Sequence, residues 1–259
     1  MFKTLKMAAA AAVVAASGVA MASAEPLKVG FSPEAYPPFY EADAAGNWTG
    51  WEVDIVKAIC AEAKYECEMV PIPWDGLIPA LTTKKIDAIM NSMSITAERQ
   101  KTIDFTNKYY NTPTAVIGAK SETFDATPEG LKGKIIGVQS STVHADYVKK
   151  HFADAAEIKE YQTQDEANQD LAAGRIDATQ ADSIALDAYL QSEQGKACCD
   201  LKGYVAEDLE ILGPGVGAGV RKDDAATKDR LNAAIKAIRD NGKYAEITKK
   251  YFTFDIYGG

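Results

Sequence analysis

A helix, a basic turn and a strand that begins Ile-Asp-Ala occur twice in this chain, 90 residues apart. The two copies read WDGLIPALTTKKIDAIM and QDEANQDLAAGRIDATQ. The residues that correspond at this constant offset are Asp75 and Asp165, Leu81 and Leu171, Ile86 and Ile176, Asp87 and Asp177, and Ala88 and Ala178. Because the order of elements is also the same, we interpret the copies as two versions of one structural unit.

Similar strands precede the two copies. LKVGFS at 27–32 and GKIIGVQSS at 133–141 are apolar runs that end at small or hydroxyl residues before a helical segment. Helices predicted at 51–64 and 142–152 alternate with strands in both halves, which is typical of parallel α/β units. The sequence therefore predicts an α/β protein with two lobes.

The glycine-rich segment GPGVGAGVRKDD at 213–224 is interpreted as a crossing between the lobes. A dinucleotide fingerprint fits poorly, because no well-formed strand precedes the glycines and a strand at 216–220 follows. Residues 25–112 and 216–259 are assigned to lobe 1 and residues 113–215, with the hinge crossings, to lobe 2. Helices at about 224–239 and 244–251, separated by Asn241-Gly242, return the chain to lobe 1.

The N-terminus has the pattern of a secretory signal peptide. Lys3 and Lys6 precede an apolar, alanine-rich run, and Ala22-Ser23-Ala24 forms an A-x-A cleavage site, so residues 1–24 are predicted to be removed. Because this removes two lysines and no acid, the formal charge becomes 26 − 37 = −11, which disfavours nucleic acid and anionic membranes as partners. We expect a periplasmic protein without a lipid anchor, since the first cysteine is Cys60.

The four cysteines form two close pairs. Cys60 and Cys67 lie between a predicted helix and a predicted strand, and in an oxidising compartment this spacing favours a structural disulfide. Cys198 and Cys199 are adjacent, and their spacing does not decide between a vicinal disulfide and two thiols. The two histidines do not lie at ligand spacing from a cysteine pair, so no metal site is expected. No cofactor is expected either.

The segment IDAIMNSMSITAER, from Ile86 to Arg99, is typical of an anion pocket. Asn91, Ser92 and Ser94 follow the end of a strand, and Thr96 is a candidate N-cap for a helix that follows at once. Arg99 would then lie in the first helical turn, where a cation opposes the helix dipole. Its position leaves two interpretations open: a residue that holds a carboxylate, or a solvated surface arginine.

The chain supplies groups for both ends of an amino acid. Ligands of open α/β sheets bind beyond the carboxyl ends of strands, and the 90-residue offset brings Ser92 opposite Asp182. Arg99, Ser94 and the helix-start amides at Thr142 and Val143 could hold a carboxylate, and Asp182 could accept from an ammonium.

The predicted ligand side chain has candidate partners near the first strand. Tyr36 and Trp74 could enclose it, although each could equally be a core residue. Glu34 and Glu52 could meet a cationic end, while Glu52 is also an ordinary acid at a helix start. His144 follows a helix start, where it either lines the cleft or is solvated. No nucleophile motif accompanies the histidines, so no catalytic residue is assigned.

These motifs together resemble the polar amino-acid solute-binding proteins of bacterial ABC importers, among them the lysine/arginine/ornithine-binding and histidine-binding proteins. The resemblance covers the mature chain, including the Tyr36-Pro37-Pro38-Phe39 loop, KKIDAIMNSMSITAERQ, LKGKIIGVQSSTVH and KKYFTFDIYGG. It implies a type II periplasmic binding protein fold. In that fold each lobe contains a mixed, mainly parallel sheet with flanking helices, and two hinge crossings join the lobes.

The resemblance also implies roles for individual residues. Arg99 would take the ligand carboxylate with Ser94 and the Val143 amide, Ser92, Ser94 and Asp182 would receive the α-ammonium, and Tyr36 and Trp74 would flank the side chain. Glu52 occupies the place of an aspartate, Asn91 that of a serine, and either Ser32 or Glu34 that of a second acid. The predicted ligand-binding set is Glu34, Tyr36, Glu52, Trp74, Asn91, Ser92, Met93, Ser94, Arg99, Gln139, Thr142, Val143, His144 and Asp182.

The function that these expectations describe is capture of one polar, cationic L-amino acid (arginine, lysine, ornithine or histidine), or of a derivative such as an opine. The partners would be this amino acid and the permease of an ABC transporter, and the protein would be a monomer. An enzyme on the same fold, a periplasmic dehydratase that uses Glu34 or Glu52 as proton donor, is the alternative.

Overall fold

The computed structural model describes residues 25–258, so the predicted signal peptide lies outside the described residues. The strands are β1 (Leu27–Phe31), β2 (Glu41–Ala42), β3 (Trp48–Thr49), β4 (Cys67–Pro71), β5 (Ala88–Ile89), β6 (Asp104–Tyr110), β7 (Thr114–Ala119), β8 (Ile135–Gln139), β9 (Glu157–Tyr161), β10 (Ala178–Asp182), β11 (Cys199–Tyr204) and β12 (Val216–Val220). The α-helices are α1 (Trp51–Glu62), α2 (Leu77–Thr82), α3 (Val143–His151), α4 (Gln164–Ala172), α5 (Ser183–Gln191), α6 (Glu193–Cys198), α7 (Leu209–Leu212), α8 (Ala225–Asp240) and α9 (Lys243–Thr248).

Two five-stranded sheets form the centres of the lobes. Their strand orders are β4-β1-β5-β12-β6 in lobe 1 and β11-β7-β10-β8-β9 in lobe 2. The mixed α/β architecture confirms the predicted fold class. The chain passes from the first sheet to the second between β6 and β7, and it returns to the first sheet before β12. We propose that the lobe boundaries lie in these connections, after residues 112 and 215.

The sheets are mixed and mainly parallel, as expected, because four of the five strands in each sheet run in the same direction. In lobe 1, β1 runs parallel to β4 and β5, whereas β12 runs antiparallel to β5 and β6. In lobe 2, β8 runs parallel to β9 and β10, whereas β7 runs antiparallel to β10 and β11. The reversed strands, β12 and β7, are the ones that follow the two crossings. A strand that enters a sheet from the hinge runs opposite to the strands whose carboxyl ends meet at the cleft.

The internal repeat is a repeated structural unit. The Asp87 carboxylate accepts a hydrogen bond from the backbone N–H of Lys28 in β1 at 3.1 Å. The corresponding Asp177 carboxylate accepts one from the backbone N–H of Ile135 in β8 at 2.7 Å. In each copy the Asp side chain therefore bonds to the start of the neighbouring strand. This shared contact explains why both copies contain an Asp at this position.

The C-terminal helices α8 and α9 pack on the first helix that the structure describes. Helix α8 begins after Asp224, whose side chain accepts from the Thr227 N–H, and Gly242 with φ 82° separates α8 from α9. Both helices pack against α1. The Trp51 ring meets Tyr110 and Tyr244 edge to face, at centroid distances of 5.2 and 5.9 Å. This aromatic cluster anchors the start of α1 in the lobe 1 core.

Both cysteine pairs are bonded. Cys60 and Cys67 form the predicted disulfide between the end of α1 and the start of β4. Cys198 and Cys199 form a vicinal disulfide between α6 and β11, which decides the question that their spacing left open. None of the helices within residues 25–258 is both long enough and apolar enough to cross a membrane.

Gly50 sets the start of α1 by a close backbone approach. It has φ 122°, and a Cβ added there would lie 2.4 Å from the Phe39 carbonyl oxygen. The adjacent N–H groups of Trp51 and Glu52 donate to the carbonyls of Pro38 and Phe39, each at 2.9 Å. A side chain at position 50 would therefore separate α1 from the segment that holds its first turn.

We predict that Gly50→Ala lowers the free energy of unfolding by at least about 3 kcal/mol, because backbone strain and a clash with main-chain atoms add. Gly46→Ala is the matched control. Gly46 also has a positive φ of 82°, but its Cβ would meet nothing within 4 Å. Strain alone should then cost about 1 kcal/mol. Urea unfolding of both variants measures the difference, and equal losses would contradict this account.

Candidate ligand-binding site

A cavity lies between the lobes at the carboxyl ends of strands from both sheets. Its lining residues are Tyr36, Tyr40, Trp74, Ser92, Ser94, Arg99, Gln139, Thr142, Val143, His144, Gln164 and Asp182. Ser92 and Asp182, which the repeat pairs with each other, both line it. The structure thus brings together the predicted groups of both lobes.

The turn after β5 presents Ser94 and Arg99 to the cavity. Ser94 forms a single β-bridge with Val216 at the start of β12, which fixes this turn to the sheet. The Arg99 guanidinium donates to the Ser94 carbonyl at 2.9 Å. Burial lowers the pKa of Arg99 to about 10, so the guanidinium remains a cation at neutral pH. Arg99 is partly buried and lines the cavity, which favours the interpretation that it holds a carboxylate.

The helix predicted to begin at Thr96 is only a short 3-10 turn, Arg99–Lys101. The Thr96 hydroxyl oxygen accepts from the Arg99 N–H at 3.2 Å, so Thr96 does cap the backbone as expected. With no long helix behind it, Arg99 meets a much smaller opposing dipole than the sequence suggested.

The second lobe offers a helix start to the same cavity. The Thr142 side chain caps α3 by accepting from the Ala145 N–H at 3.1 Å, and the Thr142 hydroxyl donates to the Gln139 carbonyl at 2.7 Å. The first N–H groups of a helix have no intrahelical acceptor. The N–H groups of Val143 and His144 can therefore donate hydrogen bonds to an anion at this wall, where the positive end of the helix dipole also favours a negative charge.

Asp182 ends β10 and faces Tyr36 of the other lobe. The Tyr36 O–H donates to the Asp182 carboxylate at 2.8 Å. Burial and this carboxylate raise the pKa of Tyr36 well above its usual value, so the phenol keeps its proton. The His144 ring lies 3.7 Å from the other Asp182 oxygen. Asp182 is thus a partly buried acceptor at the cavity wall.

Two further contacts cross the cleft near Ser141. The Trp74 indole N–H donates to the Ser141 carbonyl at 3.0 Å, and the Arg99 guanidinium lies 3.5 Å from the same oxygen. The Arg99 guanidinium also lies 5.5 Å from the centre of the Trp74 ring, a cation–π distance. The Trp74 side chain therefore contacts the opposite lobe and supports the arginine beside it.

Glu52 does not line the cavity, in contrast to the expectation that it meets a cationic ligand group. Its side chain is fully buried behind Ser92, where it accepts from the Ser92 N–H at 2.7 Å and from the Ser92 hydroxyl at 2.9 Å. The Tyr109 hydroxyl also donates to it. The cause is local, because the first turn of α1 directs residue 52 toward the end of β5.

Glu34, Asn91 and Met93 also lie outside the cavity lining. The Asn91 side-chain oxygen accepts from the Ser32 N–H at 2.6 Å and joins β5 to β1. Met93 is buried in the apolar cluster around α2. Glu34 is half-buried and accepts from the Ser32 hydroxyl, so the two candidates for a second acid are bonded to each other. The alternation of side chains after β5 sends Ser92 and Ser94 to the cavity and their neighbours inward.

Tyr40 and Gln164 line the cavity and were not predicted. Gln164 begins α4 directly after β9, and its side-chain amide donates to Thr179 at 2.9 Å and Asn168 at 3.0 Å. The rule that ligands bind after strand ends could have identified it. Tyr40 reaches the cavity because its backbone N–H donates to the Tyr36 carbonyl at 3.2 Å in a tight turn. The Pro37-Pro38 pair indicates a turn there, but it does not indicate that the Tyr40 side chain lines the cavity.

The chemistry of the lining is that of a site for a small zwitterion. A guanidinium, a helix start and hydroxyl groups stand on one side, and a carboxylate acceptor stands on the other. Within residues 25–258, no group of three or more His, Cys, Asp or Glu side chains could hold a metal ion. Two α/β lobes with such a cavity between them define a two-lobed solute-binding protein.

Comparison with known proteins agrees with this class. The family model of the bacterial extracellular solute-binding proteins, family 3, matches residues 27–254, and the chain belongs to this family. It is 42% identical over 258 residues to the L-arginine-binding protein of Pseudomonas aeruginosa, with 99% of each chain covered. It is 40% identical over 237 residues to the histidine-binding periplasmic protein of Escherichia coli, with 90% of each covered.

A solved structure of an ancestral arginine-binding protein bound to arginine has the same fold. The two chains are 32% identical with a TM-score of 0.80, and the match covers 88% of this chain and 98% of the other.

We predict that Trp74→Phe shifts the free protein toward an open arrangement of its lobes. Phenylalanine keeps a ring beside Arg99 but removes the N–H that bonds to Ser141. The closed form loses a hydrogen bond that contributes about 1 kcal/mol, which should reduce the ratio of closed to open molecules about fivefold. Distance measurements by electron paramagnetic resonance between two spin labels, one on each lobe, would detect this change. Trp48→Phe, which changes a ring packed on Phe31 in lobe 1, is the control. An unchanged distance distribution in Trp74→Phe would contradict the role given to this bond.

Proposed function

We propose that this protein is the periplasmic binding component of an ABC importer and captures a cationic L-amino acid between its lobes. The observation that carries the proposal is that Arg99 and Asp182 line one cavity from opposite lobes. An α-amino acid carries a carboxylate and an ammonium on one carbon atom. It can bind both residues only when the lobes are closed.

The carboxylate would be held by Arg99, the Ser94 hydroxyl and the N–H groups at the start of α3. A guanidinium offers two parallel donors to a carboxylate, and a helix start adds donors with a favourable dipole. The ammonium would donate to Asp182 and Ser92. Because the Tyr36 hydroxyl already donates to one Asp182 oxygen, the ligand would use the remaining lone pairs of this carboxylate.

The charges around the cavity support a cationic side chain. Burial raises the pKa of Tyr40, and Glu52 behind Ser92, Glu34 and Asp182 at the cavity wall raise it further. A neutral amino acid would use Asp182 and Arg99 and leave the other two acids without a counter-charge. The relatives named for L-arginine and histidine, and the ancestral protein bound to arginine, agree with a cationic ligand.

Capture would operate by a shift between open and closed forms. A ligand that contacts both lobes binds the closed form more tightly, and this difference in affinity drives closure. The closed surface would then be recognised by the permease in the inner membrane. The signal-peptide pattern at residues 1–24 and the relatives with periplasmic names support a periplasmic location.

The dehydratase alternative has less support. It requires Glu34 or Glu52 as a proton donor to the substrate, and a general acid must lie within hydrogen-bond reach of the reacting group. Glu52 is fully buried behind Ser92, and neither acid lines the cavity. The curated relatives cited above are also binding proteins by name.

We predict that arginine, lysine, ornithine or histidine at 100 times its dissociation constant raises the melting temperature by roughly 5–10 °C. This follows from about 2.7 kcal/mol of stabilisation at that saturation. Arg99→Ala should abolish the shift with every amino acid. Lys101→Ala, an exposed cation in the same turn, is the control and should keep it. A scan of the twenty amino acids by differential scanning fluorimetry tests this, and a shift with neutral or acidic amino acids alone would refute the cationic ligand.

A further inference from the structure

Glu52 is a buried acid that the binding of a zwitterion does not by itself require. It lies in the first turn of α1, and its exposed fraction is 0%. Its carboxylate accepts from Ser92 twice, through the backbone N–H at 2.7 Å and the hydroxyl at 2.9 Å, and from the Tyr109 hydroxyl. These donors come from the turn after β5 and from β6, so Glu52 joins two strands directly behind the cavity wall.

The direction of the Ser92 hydroxyl follows from the chemistry of Glu52. An ionised carboxylate can only accept hydrogen bonds, so the Ser92 proton must point toward it. Ser92 lines the cavity, and its φ of 50° is unusual for a residue with a side chain. The two bonds to Glu52 hold this conformation. The Ser92 oxygen then presents only lone pairs to a ligand.

We propose that Glu52 is a specificity-determining positioning residue, which fixes the Ser92 hydroxyl as an acceptor so that the cavity takes a donor group there and rejects a carboxylate or carbonyl oxygen. The inference rests on the proposed function and deepens it, because it states what decides the polarity of the ligand. A serine hydroxyl that could rotate would accept from one ligand and donate to another. When Glu52 holds it, the Ser92 hydroxyl distinguishes an ammonium from an anion. Glu52 itself does not contact the ligand.

The charge of Glu52 makes this selection depend on pH. Burial raises the pKa of Glu52 to about 7, against the lowering effects of the bonds from Tyr109 and Ser92, and Asp182 of the other lobe raises it further. The other titratable groups around it are Tyr40 before β2, Tyr109 and Tyr110 on β6, and Tyr244 on α9 next to Tyr109. The pKa values of these four phenols are raised by burial, so they keep their protons at neutral pH.

The sign of the pH effect follows from the proton on Glu52. A protonated Glu52 is itself a donor. The Ser92 N–H and the Tyr109 hydroxyl both bond to Oε1, so a proton on Oε2 is donated to the Ser92 hydroxyl oxygen, and the Ser92 proton is released to point into the cavity. A ligand donor at Ser92 thus binds the ionised form best. Affinity for a cationic amino acid should therefore rise as pH increases through about 7, by roughly tenfold between pH 6 and pH 8 if only the ionised form binds.

The first experiment is calorimetric titration of arginine into the full mature chain and its Glu52→Gln variant at pH 6, 7 and 8. A glutamine amide would donate to Ser92 and reverse its hydroxyl. We expect roughly 10- to 100-fold weaker binding at pH 8 and loss of the rise with pH. Glu62→Gln, the same change at the exposed far end of α1, should behave as the parent protein. Unchanged affinity and an unchanged pH profile in Glu52→Gln would overturn the inference while leaving the proposed function intact.

A double-mutant cycle tests whether Glu52 acts through Ser92. In a Ser92→Ala background, Glu52→Gln should change arginine affinity by less than about threefold, because the hydroxyl that it controls is gone. An equally large loss in both backgrounds would show an independent effect of Glu52 and would overturn the inference. Wild-type protein that binds no cationic amino acid would refute the proposed function, and the inference with it.

Tyr109→Phe provides a variant that leaves Glu52 in place. It removes one donor to the carboxylate, so the pKa of Glu52 should rise and the midpoint of the pH profile should move upward, with arginine affinity at pH 9 within about threefold of the parent value. A purely structural role for Glu52 predicts no movement of the midpoint. An unmoved midpoint would therefore overturn the inference even if Glu52→Gln failed to fold.

Discussion

The hydrogen bond from the Tyr36 hydroxyl to the Asp182 carboxylate joins the two lobes across the site, and the cavity exists in this form because such contacts hold its walls together. The other contacts described across the cleft, from Trp74 and Arg99 to the Ser141 carbonyl, are also polar. A polar contact exchanges bonds with water when it breaks, so each contributes only about 0.5–1.5 kcal/mol to closure, or about 1.5–3 kcal/mol where one partner is charged. Closure therefore remains reversible, and a ligand that adds charged hydrogen bonds to both walls can control it.

The same wall shows how a buried acid can act without contacting a ligand. Glu52 is held by the start of α1, which depends on the close approach of Gly50 to the Phe39 carbonyl. Its position then fixes Ser92, whose hydroxyl lines the cavity. The backbone conformation at Gly50 thereby affects the polarity of the contact that Ser92 offers to a ligand. The elevated pKa of Glu52 is the electrostatic consequence of placing this acid in the core rather than in the cavity.

Much of the site could be predicted from the sequence because it follows strand ends. Ser94 and Arg99 lie in the segment after β5, Thr142 lies after β8 and Asp182 ends β10. The repeat placed Ser92 opposite Asp182, and both line the cavity. Gln164 obeys the same rule and was overlooked. The expectation that Glu52 faces the ligand failed for a different reason. A helix start indicates that an acid is favourable there, but it does not indicate whether the side chain points to a cavity or to a neighbouring strand.

The sequence by itself determined the repeated α/β unit, the Cys60–Cys67 bond and the set of polar groups at the strand ends, because each depends on residues that are close together or at a constant offset. Only the tertiary structure decided which polar residues face the cavity and which face the core. It assigned Glu52 and Asn91 to the bonds that join α1, β1 and β5, and it brought Tyr40 and Gln164 to the cavity wall. The physical reason is that the direction of a side chain depends on how elements far apart in sequence pack, and local patterns do not contain that information.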